Sequence, residues 1–259
     1  MSEEILLGRA AEGVATLTLS RPERLNALDG PTVARLRAAI DGLESEWPAT
    51  RVVVLSGAGS SFCAGADLRW VESEVLGDDA AMAAFLDDLG GLLRRLEASP
   101  LVVVAAVHGH AVAGGLEMLL ACDVVLVAEG ARVGDEHIRR NLVPGAGGTQ
   151  RLPRKVGRSR GLYALLTGRR LTGAEAVDWG IAHELVADRE LLDTALARAA
   201  EIAGRDGHAL RATKALVRRG TELPLSEALL LELHELRRYR DVSGALDRGV
   251  TGFARPDRD

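Results

Sequence analysis

Glu117 stands in an otherwise apolar run, Leu116-Glu117-Met118-Leu119-Leu120, three residues after Gly114 in the segment 108–117 (HGHAVAGGLE). A carboxylate in such surroundings is costly unless it is paired or put to use. If this segment opens a helix, Gly114 offers a bare N–H at the first turn, and Glu117 lies on the same side one turn later. Either Glu117 works as an acid or base, or it is a structural carboxylate in a salt bridge or against the helix dipole. Residues 61–68 (SFCAGADL) form a second candidate. Small side chains there let a ligand approach the backbone, and a helix start would aim free N–H groups at it. The alternative is a tight loop with no ligand. A third candidate joins Gly134-Asp135-Glu136-His137 to residues 144–153 (PGAGGTQRLP). Its glycines resemble a phosphate cradle, but no Gly-Lys-Ser/Thr follows, which argues against a P-loop.

Three further patterns read as structural. His108 and His110 lack a third ligand for a metal. Gly57 and Gly59 lack the third glycine of a dinucleotide fingerprint, because Phe62 occupies that place. Residues 157–161 (GRSRG) match G-x-S-x-G, but a nucleophile elbow needs a preceding strand. The stretch 151–156 contains Pro153 and three basic residues and is a poor strand, so Ser159 reads as a helix cap.

The elements that must position these groups follow from periodicity. Residues 13–19 alternate as a half-buried strand. A helix is predicted from about Pro31 to Trp47, stopped by Pro48. Residues 51–56 predict a strand, 57–61 a loop, 79–98 a helix, 101–107 a buried strand, 113–122 a helix and 124–128 a strand. This alternation argues for an α/β fold. After about Leu191 the apolar residues keep helical spacing, and Leu225, Ala228, Leu229 and Leu236 make one stripe that needs cover from the core or from another subunit. We therefore divide the chain into a core, 1–200, and a C-terminal helical region, 201–259.

Composition narrows the function. The 259 residues suit one large domain. With 32 basic against 37 acidic side chains, the net charge of -5 gives no field to attract nucleic acid. Aromatics are only 3%, too few for base-stacking platforms. Two cysteines make no disulfide framework and suit a reducing cytoplasm. The acidic N-terminus does not read as a signal peptide, and the apolar run 101–107 is far shorter than a bilayer span, so no membrane partner is expected.

Five stretches together resemble the crotonase superfamily, the enoyl-CoA hydratase/isomerase family: RPERLNALD (21–29), SSFCAGADL (60–68), HGHAVAGGLEMLLACD (108–123), LVPGAGGTQRLPRKVG (142–157) and, more weakly, LTGAEAVDWGIAHELV (171–186). They occur in family order over most of the chain. The resemblance implies a spiral of ββα units with a C-terminal helical region that assembles a homotrimer, usually doubled to a hexamer. It implies an acyl-CoA substrate whose thioester oxygen meets the backbone N–H groups of Ala66 and Gly114, with no metal and no cofactor beyond the CoA of the substrate. Along the CoA it places Arg24, Leu25 and Ala27, with Ala64, Asp67 and Leu68 on the adenine side. Phe253 matches an aromatic that reaches a neighbouring subunit's CoA. Pro256 replaces a lysine often found there, leaving Arg255 or Arg258 to supply charge.

The departure lies in the acid–base pair. Hydratases of the family use two glutamates. Glu117 matches the first, whereas the second position falls on His137, with Glu136 one residue off. Asp135 as a helix N-cap would put His137 in a first helical turn and keep it neutral near pH 7. His137 is then a base or a holder of water, or else Glu117 works alone. The implied activity is hydration of an enoyl-CoA. Isomerisation, decarboxylation or C–C hydrolysis of an acyl-CoA, or acyl-CoA binding without catalysis, are the alternatives. Residues 69–98 either set acyl specificity or pack the core.

Overall fold

The computed structural model of the chain describes residues 4–254. The first two strands, β1 (Ile5–Ala11) and β2 (Val14–Leu19), form an antiparallel hairpin that turns at Gly13, whose φ is +74°. From β2 the sheet continues in parallel through β3 (Val52–Gly57), β4 (Val102–Val107), β6 (Val124–Ala128) and β9 (Glu184–Val186), in the order β1-β2-β3-β4-β6-β9. β3 (VVVLSG) and β4 (VVVAAV) are largely apolar runs rich in Val because parallel strands in the middle of a covered sheet are apolar on both faces.

The crossovers share one plan. The strands β2, β3 and β4 are each followed by a short extended piece in a second layer and then a helix. After β2, Leu28 precedes α1 (Gly30–Ser45). After β3, Cys63 and Ala66 precede α2 (Leu68–Glu74) and α3 (Asp79–Ala98). After β4, β5 (His110–Val112) precedes α4 (Gly114–Leu120). The second layer is laced by parallel pairing: Leu28 with Ala66, Cys63 with Ala111, and β5 with β7 (Arg132–Gly134). β8 (Leu171–Thr172) closes this three-stranded sheet on the other side of β7.

Past β7 come a 3-10 turn (His137–Arg140), α5 (Gly148–Val156), α6 (Arg158–Thr167) and, after β8, α7 (Gly173–Asp178). The C-terminal part is helical: α8 (Leu191–Ala203), α9 (Gly207–Gly220), α10 (Leu225–Ser243) and α11 (Ala245–Ala254). α8 packs across β2, β3, β4 and β6, and residue 201 falls inside it. α9 is tied to the core by Lys214, whose Nζ donates to the carbonyls of Leu96 and Leu101 and to Asp123 Oδ2. α10 packs on α9 and leaves Leu225, Leu229 and Leu236 exposed, so the predicted stripe finds no cover in its own core.

Several elements differ from the sequence reading. α1 is capped by Asp29, which accepts from Thr32 N, and ends at Ser45 rather than Trp47. β1 and the short strands β5, β7, β8 and β9 have no counterpart in the periodicity. They are too short or too exposed to alternate, and pairing alone makes them strands. Residues 148–156 are helical, and α6 starts at Arg158 with Gly157 in the cap position. Ser159 lies inside α6 and caps nothing.

Candidate active site

Two loops carry the bare amides. One leaves β3 and the other links β5 to α4, and the Cys63–Ala111 bridge sews them together: Cys63 N donates to His110 O and Val112 N to Cys63 O. No side chain fits at Gly115, where a Cβ would come within 2.1 Å of Cys63 O. On the far side Leu28 N donates to Gly65 O and Asp67 N to Leu28 O. These two bonds belong to the neighbours of Ala66, so the Ala66 N–H faces the other way. Neither it nor the Gly114 N–H has an acceptor among the described residues. The two lie side by side, since a Cβ on Gly114 would stand 3.5 Å from Ala66 N.

The residue that aims the Gly114 N–H is Ala113, at φ +51° and ψ -119°. An L-residue there is strained by about 1–3 kcal/mol, and Ala113 N is held to Gly134 O. Ala113→Gly is therefore expected to stabilise the protein by about 1 kcal/mol, read as a rise in melting temperature of roughly 2–4 °C. A fall in melting temperature would mean that this backbone is unstrained.

Glu117 is 1% exposed and has no ion-pair partner among the described residues. Its Oε1 instead accepts from Ala146 N at 2.9 Å and Gly148 N at 2.7 Å. The glycine-rich segment that resembles a phosphate cradle thus cradles a carboxylate, at the N-terminus of α5 where the helix dipole favours an anion. Arg151 secures that loop: it donates to Ala146 O and forks onto Glu97 of α3. Burial drives the Glu117 carboxyl above the ordinary carboxylate range. The two amides and the charge of His137 oppose this, while the charge of Asp135 adds to it.

The third segment overturns the helix-cap expectation. His137 opens a four-residue 3-10 turn, not an α-helix, and the residue before it, Glu136, is left-handed at φ +58°. Glu136 turns away to ion-pair with Arg170. Asp135 is 1% exposed, and its Oδ1 accepts from His137 Nδ1 at 2.9 Å. Burial works to keep His137 neutral, but the hydrogen bond and charge of Asp135, with the charge of Glu117, raise it above an ordinary histidine. So short a turn has no dipole to oppose this, and His137 moves toward the charged form near neutral pH, contrary to the expectation from the cap.

The positions aligned with CoA binding fall on neighbouring loops. Leu25 and Asn26 are both left-handed, and Ala64 N donates to Leu25 O. Arg24, Leu25 and Leu68 are exposed, Ala27 is buried, and the Arg24 side chain has no partner among the described residues. The Asp67 carboxylate is committed inside the fold. Oδ1 caps α2 through Arg69 N and Trp70 N, and Oδ2 takes Arg21, which also pairs with Asp29. Asp67 therefore has no carboxylate oxygen free of an internal partner. The side chain of Phe253, and Arg255, Pro256 and Arg258, lie outside the described residues. Within 69–98, Val75 and Phe85 are core, while Leu86 reaches the Glu117 loop, where a Cβ on Gly145 would meet it at 2.8 Å.

Sequence reasoning missed three groups. Asn26 is buried and ties the first loop to the second by bonding Arg21 N, Ala58 O and Ser61 O. Ala146 and Gly148 act through backbone N–H, which residue type does not advertise. Asp135 read only as a cap. The one signal for it was its place two residues before a histidine.

A family model described as enoyl-CoA hydratase/isomerase matches residues 9–255. A protein of Rhizobium meliloti named "Probable enoyl-CoA hydratase" is 37% identical over 232 residues, covering 90% of this chain and 88% of that one. Human "Enoyl-CoA hydratase domain-containing protein 2, mitochondrial" is 36% identical over 85% of this chain and 76% of its own. The crystal structure of an enoyl-CoA hydratase from Bacillus anthracis superposes with a TM-score of 0.92 at 31% identity, covering 97% of this chain and 96% of that one.

Proposed function

Since this chain belongs to the enoyl-CoA hydratase/isomerase family, we propose that it adds water across the α,β double bond of an enoyl-CoA. The observation that carries this reading is the pair of adjacent, unpartnered amides, Ala66 N–H and Gly114 N–H, beside a buried carboxylate. Water attacks the β-carbon and gives a proton to Glu117. The thioester oxygen takes on charge and is held by the two amides. His137, as the imidazolium, then protonates the α-carbon, and the proton on Glu117 returns the site to its starting state as product leaves. Arg24, Leu25, Ala27, Ala64, Leu68 and the backbone at Asp67 line the CoA in this reading, and Leu86 borders the acyl chain. No cofactor beyond the CoA of the substrate takes part.

Incubating a panel of acyl-CoAs in heavy-oxygen water tests the reaction. Label is expected in a 3-hydroxyacyl-CoA. An unlabelled isomer, a labelled cleavage product, or tight binding without turnover across the panel would each replace hydration by a rival.

The pH profile follows from the two titrating groups. The base works deprotonated, so kcat/KM rises as pH climbs through Glu117, on a limb above the ordinary carboxylate range. The acid works protonated, so the rate falls as pH climbs through His137, on a limb above that of an ordinary histidine. His137→Gln is expected to remove the alkaline limb. A profile unchanged by that substitution would leave Glu117 working alone.

Among the described residues no helix is long and apolar enough to cross a membrane. Cys63 and Cys122 are buried and unpaired, and burial pushes each thiol up to about 12, a state suited to a reducing cytoplasm. The exposed leucines of α10 support a homotrimer, or a hexamer of two trimers, as the assembly.

A further inference from the structure

Two buried carboxylates and one imidazole meet at the turn after β7, and the reaction as written uses only Glu117 and His137. Asp135 lies among them at 1% exposure, and its one side-chain partner among the described residues is His137. The second oxygen, Oδ2, is buried without a hydrogen bond to any of the described residues. It faces the same backbone position as Glu117: a Cβ on Gly148 would meet Asp135 Oδ2 at 2.7 Å and Glu117 Oε1 at 3.2 Å. A buried anion without a cation is strongly disfavoured. Of the basic side chains beside this turn, Arg170 is taken by Glu136, Arg139 donates Nε to the Gly168 carbonyl and Arg140 is exposed, and among the described residues none pairs with Asp135. The charges whose fields act on His137 are Asp135 from its own segment and Glu117 from α4.

We propose that Asp135 is a positioning residue: it grips the His137 ring at Nδ1 and leaves Nε2 as the atom that hands over the proton. An Asp–His pair then stands where the family's hydratases carry a carboxylic acid. The hydrogen bond sets the tautomer. With Nδ1–H committed to Asp135, the neutral ring has its lone pair on Nε2 and the charged ring has its transferable proton there.

This inference rests on the hydratase reading for its rate consequences but not for its geometry, and the test separates the two. In nitrogen-detected NMR of the resting protein, neutral His137 is expected as the Nδ1–H tautomer. In Asp135→Asn that preference is expected to vanish and the ring titration to move to lower pH. These two readouts need no substrate. With turnover, Asp135→Asn is expected to lower kcat about 10- to 100-fold with little change in KM, and to move the alkaline limb down. The double variant Asp135→Asn/His137→Gln is expected to be no slower than His137→Gln alone, because Asp135 acts through His137. Unchanged tautomer and titration in Asp135→Asn would overturn the proposal. So would additive losses in the double variant. If no thioester turns over, the hydratase reading fails while the NMR result still decides the role of Asp135. Should Asp135→Asn fail to fold, the wild-type tautomer alone decides, and Nε2–H would overturn the pairing.

Discussion

Glu117→Gln is expected to lower kcat by about 10²- to 10⁴-fold, the range for a positioned acid or base, while KM and melting temperature stay near the wild type. The amide keeps an oxygen that can accept from Ala146 N–H and Gly148 N–H, so the loop that binds Glu117 is not released. What is lost is the ability to take a proton from water. Glu117→Ala makes the contrast: it is expected to be equally slow and also less stable, because each buried amide left without an acceptor costs about 1–3 kcal/mol. Steady-state kinetics and thermal melting of the two variants decide the matter. A glutamine variant within tenfold of the wild-type rate would remove Glu117 from the chemistry.

The second large effect belongs to the backbone. Gly114→Val is expected to reduce kcat/KM by about 10²- to 10³-fold, comparable to losing one donor of an oxyanion hole. The new Cβ would sit 3.5 Å from Ala66 N and 3.3 Å from Gly65 Cα, so the facing loop must give by a few tenths of an ångström. The two γ-methyl groups then occupy the space in front of both amides. Affinity for free CoA, measured by calorimetry, is expected to hold, because CoA lacks the thioester oxygen that the amides would bind. Wild-type turnover in this variant would mean that charge on the thioester is stabilised elsewhere.

The most legible parts of the fold were the long elements with their own periodicity. α3 and β6 run where the apolar pattern puts them, and β3 and β4 shift by a residue at their ends. Glu117 was legible for a similar reason: a charge inside an apolar helix is a local anomaly that needs no knowledge of the fold. The short strands of the second layer were not legible. Three residues carry too little pattern, and their ladder partners lie far along the chain, as with Cys63 and Ala111.

At the site, residue types and their spacing by themselves determined the α/β class, the family resemblance, the anomalous carboxylate at 117 and the presence of a histidine, His137, where the resemblance leads one to expect a second glutamate. The tertiary structure alone decided how these groups behave. It showed that the Ala66 and Gly114 amides are neighbours and, among the described residues, unpartnered, that Glu117 there rests on two backbone N–H groups and not on a cation, and that Asp135 holds the His137 ring instead of capping a helix. The physical reason is common to all three. Backbone amides carry no side-chain label, and a proton's preferred atom depends on burial and on charges a few ångströms away, which neighbours in space set and neighbours in sequence do not.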